Sequence, residues 1–143
     1  MNREDLSIKP SQLNIESLKN AWLSLDKAIQ RATREPHDLE VRDACIQRFE
    51  YTYELCIKTI KRFIEHEMPI TENIDQVNYR DLLRIAFEIG LIHHVEAWFE
   101  YREARNQTSH AYDQNKAKAV FDATLHFVID AKQLITELNK RLV

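Results

Sequence analysis

The chain has 143 residues, of which one is glycine and three are proline, while hydrophobic residues make up 44% and charged residues 30%. So few turn-forming residues exclude a sheet protein of this length and favour long helices. The formal net charge of −3 excludes a protein that coats nucleic acid through bulk electrostatics, although a local basic site remains compatible with it. The length is typical of one domain, so we expect residues 1–143 to form a single helical domain.

The chain shows no sign of disulfide bonding, structural zinc or membrane insertion. Cys45 and Cys56 match neither a CxxC pair nor a zinc ligand set, and we interpret them as reduced thiols packed as small apolar side chains. No stretch approaches the ~18 consecutive apolar residues of a membrane span, and the start, Met1 to Gln12, is polar. We therefore expect a cytoplasmic protein that does not contact membranes.

The first half of the chain has the apolar spacing of two long helices. Apolar residues recur at intervals of three and four over residues 14–34, and Glu35-Pro36 ends this helix because the residue before a proline is disfavoured in the helical region. Asp38 can cap a second, longer helix. Met68-Pro69 stops it.

The second half predicts three further helices. A short one starts at or just before Asn78 and reaches the lone Gly90, which we expect to be a hinge or a point of close packing. A fourth runs to about Asn106, where residues 107–109 break the pattern.

A last helix, capped by Asp113 or Asn115, keeps helical spacing almost to the end of the chain. The predicted fold class is therefore all-α: an up-and-down four-helix bundle with the third helix as an additional short element.

Two arginines on the fourth helix require an explanation. Arg102 and Arg105 share a helix face with Trp98, so they lie on the stripe that we expect to be buried. An unpaired guanidinium in a dry core would cost several kcal/mol, so each must find a carboxylate, a wet cleft or a partner. A structural ion pair of Arg105 with Glu50 or Glu54 of the second helix is one answer, and it remains open.

The segment from Arg105 to Tyr112 offers a chemical answer. It places a cation, an amide (Asn106), an imidazole (His110) and a phenol within eight residues around a helix end, where a turn can aim them outward together. Histidine can exchange a proton near neutral pH, and arginine can stabilise the extra negative charge of a phosphoryl transition state. Together they suffice to cleave RNA by its own 2′-hydroxyl.

The bare spacing of this motif is a weak signal. With this composition, an arginine followed by a histidine five positions later is expected by chance about 0.5 times. Arg31 and His37 form a similar pair, but no asparagine follows the arginine, no tyrosine lies two places beyond the histidine, and Pro36 intervenes. We therefore give weight only to the full pattern R-N-x-x-x-H-x-Y.

The full pattern and several other segments resemble the HEPN superfamily. Within it the chain is similar to the nucleotidyltransferase substrate-binding proteins, viewed more recently as HepT-like ribonuclease toxins. The resemblance spans nearly the whole chain and includes Phe49-Glu50-Tyr51-Thr52-Tyr53-Glu54, Lys58, Tyr79-Arg80-Asp81-Leu82-Leu83-Arg84, Ala86, Gly90-Leu91-Ile92, Trp98 and the motif Arg105 to Tyr112.

The resemblance implies a homodimer that places two copies of the motif in a shared cleft, as a metal-independent endoribonuclease that needs no cofactor and acts on RNA, not on DNA. Arg105 would bind the scissile phosphate, His110 would act as general acid or base, and Asn106 would orient them. We expect four further residues to support or line the cleft: Arg102, Glu50, Glu54 and Trp98.

The resemblance also implies a partner, a cognate minimal nucleotidyltransferase that acts as antitoxin. In the toxin subgroup the tyrosine matching Tyr112 accepts AMP from this partner, which blocks the RNA site. A tyrosine that anchors the loop by packing and one hydrogen bond is the alternative. For the whole chain, the alternatives are a non-catalytic subunit that presents a nucleotide or other substrate to the nucleotidyltransferase, and a plain helical scaffold.

Two other clusters receive ordinary interpretations. His93-His94 with Glu96, Glu100 and Glu103 lacks the spacing of a di-iron bundle site, and the three glutamates form a solvated polar face. The basic residues of the second helix are interpreted as exposed surface rather than as an RNA track; they are Lys58, Lys61 and Arg62.

Overall fold

The computed structural model describes residues 13–68 and 73–142. In these ranges the protein is all-α, with five α-helices and two short 3-10 helices and no strand, which confirms the predicted class and the number of long helices. Met1 to Gln12, expected to be polar, and Pro69, expected to stop the second helix, lie outside the described residues. The α-helices are α1 (Glu16–Arg34), α2 (Leu39–Glu67), α3 (Tyr79–Glu88), α4 (Val95–Gln107) and α5 (Gln114–Arg141).

Side-chain caps mark the start of three of the five α-helices. The carboxylate of Asp38 accepts two backbone N–H groups at the start of α2, and that of Asp113 does the same at the start of α5. The side chain of Asn78 accepts the backbone N–H three residues on, at the start of α3. These three predicted caps are confirmed. Helix α1 begins two residues later than expected, at Glu16, whose backbone N–H donates to the side chain of Asn14 at 2.8 Å.

Helices α1, α2, α4 and α5 pack around one core, and α3 packs at its side against α2 and α4. The core centres on five aromatic rings that are at most 3% exposed. The ring of Phe127 on α5 meets those of Phe49 and Tyr53 on α2 and of Trp98 and Tyr101 on α4, with centroid distances from 5.0 to 6.1 Å. The rings of α2, α4 and α5 therefore fix these three helices against one another.

The link between α3 and α4 depends on Gly90. Its φ is +80°, in the region that side chains rarely adopt, and a Cβ placed there would lie 3.0 Å from Nη2 of Arg141. The same guanidinium donates to the carbonyl of Ile89 at 2.6 Å. We expected Gly90 to be a hinge or a point of close packing, and the structure shows the point of close packing.

The two thiols are buried and free, as expected. Burial raises the pKa of Cys45 to about 11 and also raises the pKa of Cys56. Across residues 13–68 and 73–142, every helix is too short or too polar to traverse a bilayer.

Candidate functional site

Helix α4 ends at Gln107, close to the predicted end at about Asn106. The backbone then tightens into a 3-10 helix, Thr108–His110, before Asp113 caps α5. The hydroxyl of Thr108 lies 2.8 Å from the carbonyl of Arg105 and also hydrogen-bonds the Glu50 carboxylate on α2. The turn is thus fastened to α2, which explains why polar residues typical of a loop remain in helical conformation.

Arg105 is held by a carboxylate of α2. Its Nε donates to Oε1 of Glu54 at 2.9 Å, and Nη2 donates to the same oxygen. This pairing raises the pKa of Arg105, mainly through the hydrogen bond to Glu54. Of the two partners proposed for a structural ion pair, the structure selects Glu54.

The ion pair leaves Arg105 able to bind a ligand. A guanidinium carries five N–H donors in a fixed plane, and Glu54 engages only Nε and Nη2. The side chain of Arg105 is 34% exposed and that of Glu54 is 53% exposed, so the pair lies at the surface. The carboxylate therefore orients the guanidinium while further donors remain available to a phosphate.

Arg102 is half-buried on the same side of α4. Its guanidinium lies over the ring of Tyr79, 4.3 Å from the centroid, and among the described residues its buried Nε has no hydrogen-bond partner. Both arginines are partly exposed, so the face that we expected to be buried is only partly buried at these two positions. Trp98, on the same face, is fully buried beside Tyr53 and supports the site from beneath rather than lining it.

A groove of about 530 Å³ lies between α2, α4 and the 3-10 helix Ile74–Gln76. Glu54, Arg102, Arg105 and Asn106 line it together. It is also lined by Tyr53, Ile57, Lys58, Lys61, Arg62 and Asp75. The basic residues of α2 that we interpreted as exposed surface thus share a groove with the motif, which sequence spacing could not show because α4 is distant from them in the chain.

His110 and Tyr112 lie outside this groove. His110 is half-buried in the 3-10 helix, and its ring centroid is 6.1 Å from that of Tyr112. Tyr112 is 80% exposed and lines a second cavity of about 430 Å³, together with Asp43 and Glu50. One chain therefore does not bring the four motif side chains into one pocket. Because the Tyr112 ring is so exposed, it buries little surface against its neighbours, whereas a tyrosine that anchors the loop would need to pack against them.

The histidines set aside in the sequence make local hydrogen bonds. Nδ1 of His94 lies 3.1 Å from the Asp130 carboxylate, which also accepts from Tyr101, and Nε2 of His93 lies 3.1 Å from the side-chain nitrogen of Gln133. Over the described ranges no three His, Cys, Asp or Glu side chains are grouped so as to hold a metal ion.

The fold and the site define a small helical-bundle protein with a polar motif anchored at the end of α4. The chain belongs to the family described as nucleotidyltransferase substrate binding protein like, whose model matches residues 13–140. It is 36% identical over 138 residues to the probable ribonuclease HepT of Haemophilus influenzae, an alignment that covers 91% of this chain and 94% of that protein.

Two solved structures are similar in fold. One is a Haemophilus influenzae protein described as having the fold of a substrate binding domain of a nucleotidyltransferase, with a TM-score of 0.82, 34% identity, and coverage of 88% of this chain and 99% of that one. The other is a Thermus thermophilus protein with a TM-score of 0.73, 24% identity, and coverage of 85% and 98%. The second likeness concerns the fold alone.

Proposed function

We propose that the protein is a metal-independent endoribonuclease, the toxin of a toxin-antitoxin pair, and that a cognate nucleotidyltransferase neutralises it. The observation that carries the proposal is the half-exposed guanidinium of Arg105, oriented by Glu54 and with donors to spare, five residues before His110 in a turn that Glu50 fastens to α2. Similarity to the probable ribonuclease HepT supports the reaction class.

The reaction requires two copies of the motif. In the proposed homodimer, one His110 takes the proton of the RNA 2′-hydroxyl as its oxygen attacks the adjacent phosphorus. The partner subunit's His110 donates a proton to the departing 5′ oxygen, so the products are a 2′,3′-cyclic phosphate and a 5′-hydroxyl. Arg105 stabilises the extra charge on the phosphate oxygens, and Asn106, beside it in the groove, orients the phosphate.

The direct test is cleavage of labelled RNA by the purified protein in excess chelator. The parent protein should cleave, and Arg105→Ala and His110→Ala should each reduce the rate by about 10²-fold or more. His93→Ala is the matched control, since His93 is an exposed histidine just before α4, whereas His110 follows that helix. Equal rates for the parent and His110→Ala would refute the proposed chemistry.

Regulation is proposed to act through Tyr112. Its 80% exposure makes the phenol accessible to a second enzyme, and an added AMP would bring bulk and negative charge next to the motif. Co-expression with the nucleotidyltransferase should add one adenylate mass to the chain and none to Tyr112→Phe. Adenylate that remains on the phenylalanine variant would assign the modification to another residue.

A non-catalytic subunit that presents a nucleotide or another substrate to the nucleotidyltransferase is the second candidate, and the description of the family favours it. Expression of the chain alone separates the two. A ribonuclease toxin arrests growth unless the nucleotidyltransferase is present, and His110→Ala abolishes the arrest. A presenting subunit has no effect on growth in either form.

A further inference from the structure

The groove beside Arg105 carries an excess of positive charge. Five of its ten lining residues are lysine or arginine and two are acidic, in a chain whose net charge is −3. The chain therefore concentrates cations in this groove although its surface as a whole is acidic. Such a local excess needs a cause other than bulk composition.

Only part of this positive charge is neutralised by the protein itself. Arg105 is paired with Glu54, and Arg62 lies 2.8 Å from Glu65 and 3.2 Å from Asp75. The remaining three cations of the groove have no carboxylate within 4.0 Å among the described residues. They are Lys58, Lys61 and Arg102.

Arg102 is held in the wall of the groove by two tyrosines. Its guanidinium lies 4.3 Å from the centroid of the Tyr79 ring. It also faces the buried hydroxyl of Tyr53, where it opposes the rise that burial causes in the pKa of that tyrosine. Arg102 therefore keeps its positive charge in the groove without a carboxylate partner among the described residues.

The two sides of the motif differ in charge. Beyond Tyr112, the second cavity is lined by Asp43 and Glu50, and no lysine or arginine lines it. Beyond Arg105, in the opposite direction along α2, the lining is basic as far as Arg62. A polyanion at Arg105 is therefore repelled toward one end of α2 and attracted toward the other.

We propose that this groove binds the sugar-phosphate backbone of RNA adjacent to the scissile phosphate, with Lys58, Lys61 and Arg102 contacting successive phosphates. The proposal rests on the proposed ribonuclease function. Lys61 lies seven residues after Glu54, the partner of Arg105, which corresponds to about 10 Å along α2. Cations spread over that distance fit a chain of linked phosphates better than a single phosphate group.

Salt dependence of RNA binding tests the proposal. A fluorescent single-stranded RNA is titrated against His110→Ala protein, which binds without cleaving, at several salt concentrations. For single strands, each neutralised phosphate contributes about 0.7 to the slope of log K against log salt. Adding Lys58→Gln and Lys61→Gln should lower the slope by about 1.4 and weaken binding about 25-fold at 0.1 M salt.

The matched control is the pair Lys27→Gln and Lys140→Gln, which removes the same charge from exposed positions outside the groove. It should change the slope by much less than the groove pair, and circular dichroism should show both double variants folded. The proposal is wrong if the slope is unchanged in the groove variant, or if the control pair lowers the slope and the affinity for RNA by the same amount. It is also wrong if equimolar AMP displaces the RNA. A groove variant that keeps the parent slope but no longer binds the nucleotidyltransferase contradicts it as well.

Cleavage distinguishes this proposal from the proposed function. In the otherwise unaltered protein, Lys58→Gln/Lys61→Gln should raise KM for RNA about tenfold or more and leave kcat within about twofold, because the lysines contact phosphates that flank the reacting one rather than the reacting phosphate itself. If the double variant cleaves RNA with an unchanged KM, the groove proposal is wrong and the ribonuclease proposal stands. If the parent protein cleaves no RNA but the slope of RNA binding changes as expected, the groove proposal stands and the ribonuclease proposal is wrong.

Discussion

Replacing Arg105 with alanine should separate a structural ion pair from a functional one. The pair with Glu54 is at the surface, since the two side chains are 34% and 53% exposed. Exposed ion pairs contribute about 0.2 to 1 kcal/mol to folding, so Arg105→Ala should lower the free energy of unfolding by less than about 1 kcal/mol. The melting temperature of a chain of this length should then fall by no more than about 5 °C.

The effect on RNA cleavage should be much larger. Loss of a donor that stabilises charge in the transition state typically costs about 10² to 10³ in rate, or about 2.7 to 4 kcal/mol. Urea unfolding followed by circular dichroism gives the first quantity, and single-turnover cleavage gives the second. Arg31→Ala is the control for stability, because its Nε donates to Glu35 at 2.7 Å in a surface ion pair whose side chains are 61% and 46% exposed.

The opposite pattern would refute the reasoning. If Arg105→Ala lowers stability by more than about 2 kcal/mol and leaves the cleavage rate of the folded protein unchanged, Arg105 is a structural residue. A double-mutant cycle with Glu54→Gln should give a coupling energy below about 1 kcal/mol for stability. A clearly larger coupling would also contradict the view of the pair as an exposed orienting contact.

Three further predictions concern stability. Phe127→Ala should cost about 3 to 5 kcal/mol in urea unfolding because the fully buried ring contacts four others, and a cost below about 1 kcal/mol would contradict the aromatic core. Asp113→Ala should cost about 1 kcal/mol by the same measurement, whereas no change would show that its two hydrogen bonds do not stabilise α5. Burial raises the pKa of Cys45 to about 11 and also raises the pKa of Cys56. The contribution of these neutral thiols to the free energy of unfolding is therefore complete below pH 9, and stability should fall as the pH rises through the folded pKa values. Iodoacetamide at pH 8 should therefore label neither thiol before unfolding, and rapid labelling of the native protein would refute their burial.

Much of the fold follows from local rules that can be applied to the sequence alone. Three of the helices begin at Asp38, Asn78 and Asp113, where a short polar side chain can accept the first free backbone N–H groups. The end of α1 follows as well, because the residue before Pro36 is disfavoured in the helical region. These signals act within a few residues, so they do not depend on tertiary structure.

The 3-10 helix Thr108–His110 and the groove are set by contacts between residues that are distant in sequence. The 3-10 helix Thr108–His110 is held to α2 by Glu50, which lies 58 positions before Thr108 and accepts a hydrogen bond from the Thr108 hydroxyl. The basic residues of α2 become part of a site only when α4 packs beside them. Helical spacing placed Arg102 and Arg105 on the correct face of α4, but it could not show that both lie at the edge of the core.

The placement of the motif meets two requirements of the proposed catalytic site. Groups that contact RNA must be exposed, yet they must be held within a fraction of an ångström of the reacting geometry. Glu50 and Glu54 lie one turn apart on α2 and hold the end of α4 at two points, through Thr108 and Arg105. His110 does not line the groove that contains Arg105. In the proposed homodimer, the Arg105 of one subunit would act on the same phosphate as the histidine of the other motif copy, so a dimer-disrupting substitution should abolish cleavage even when both motif residues are intact.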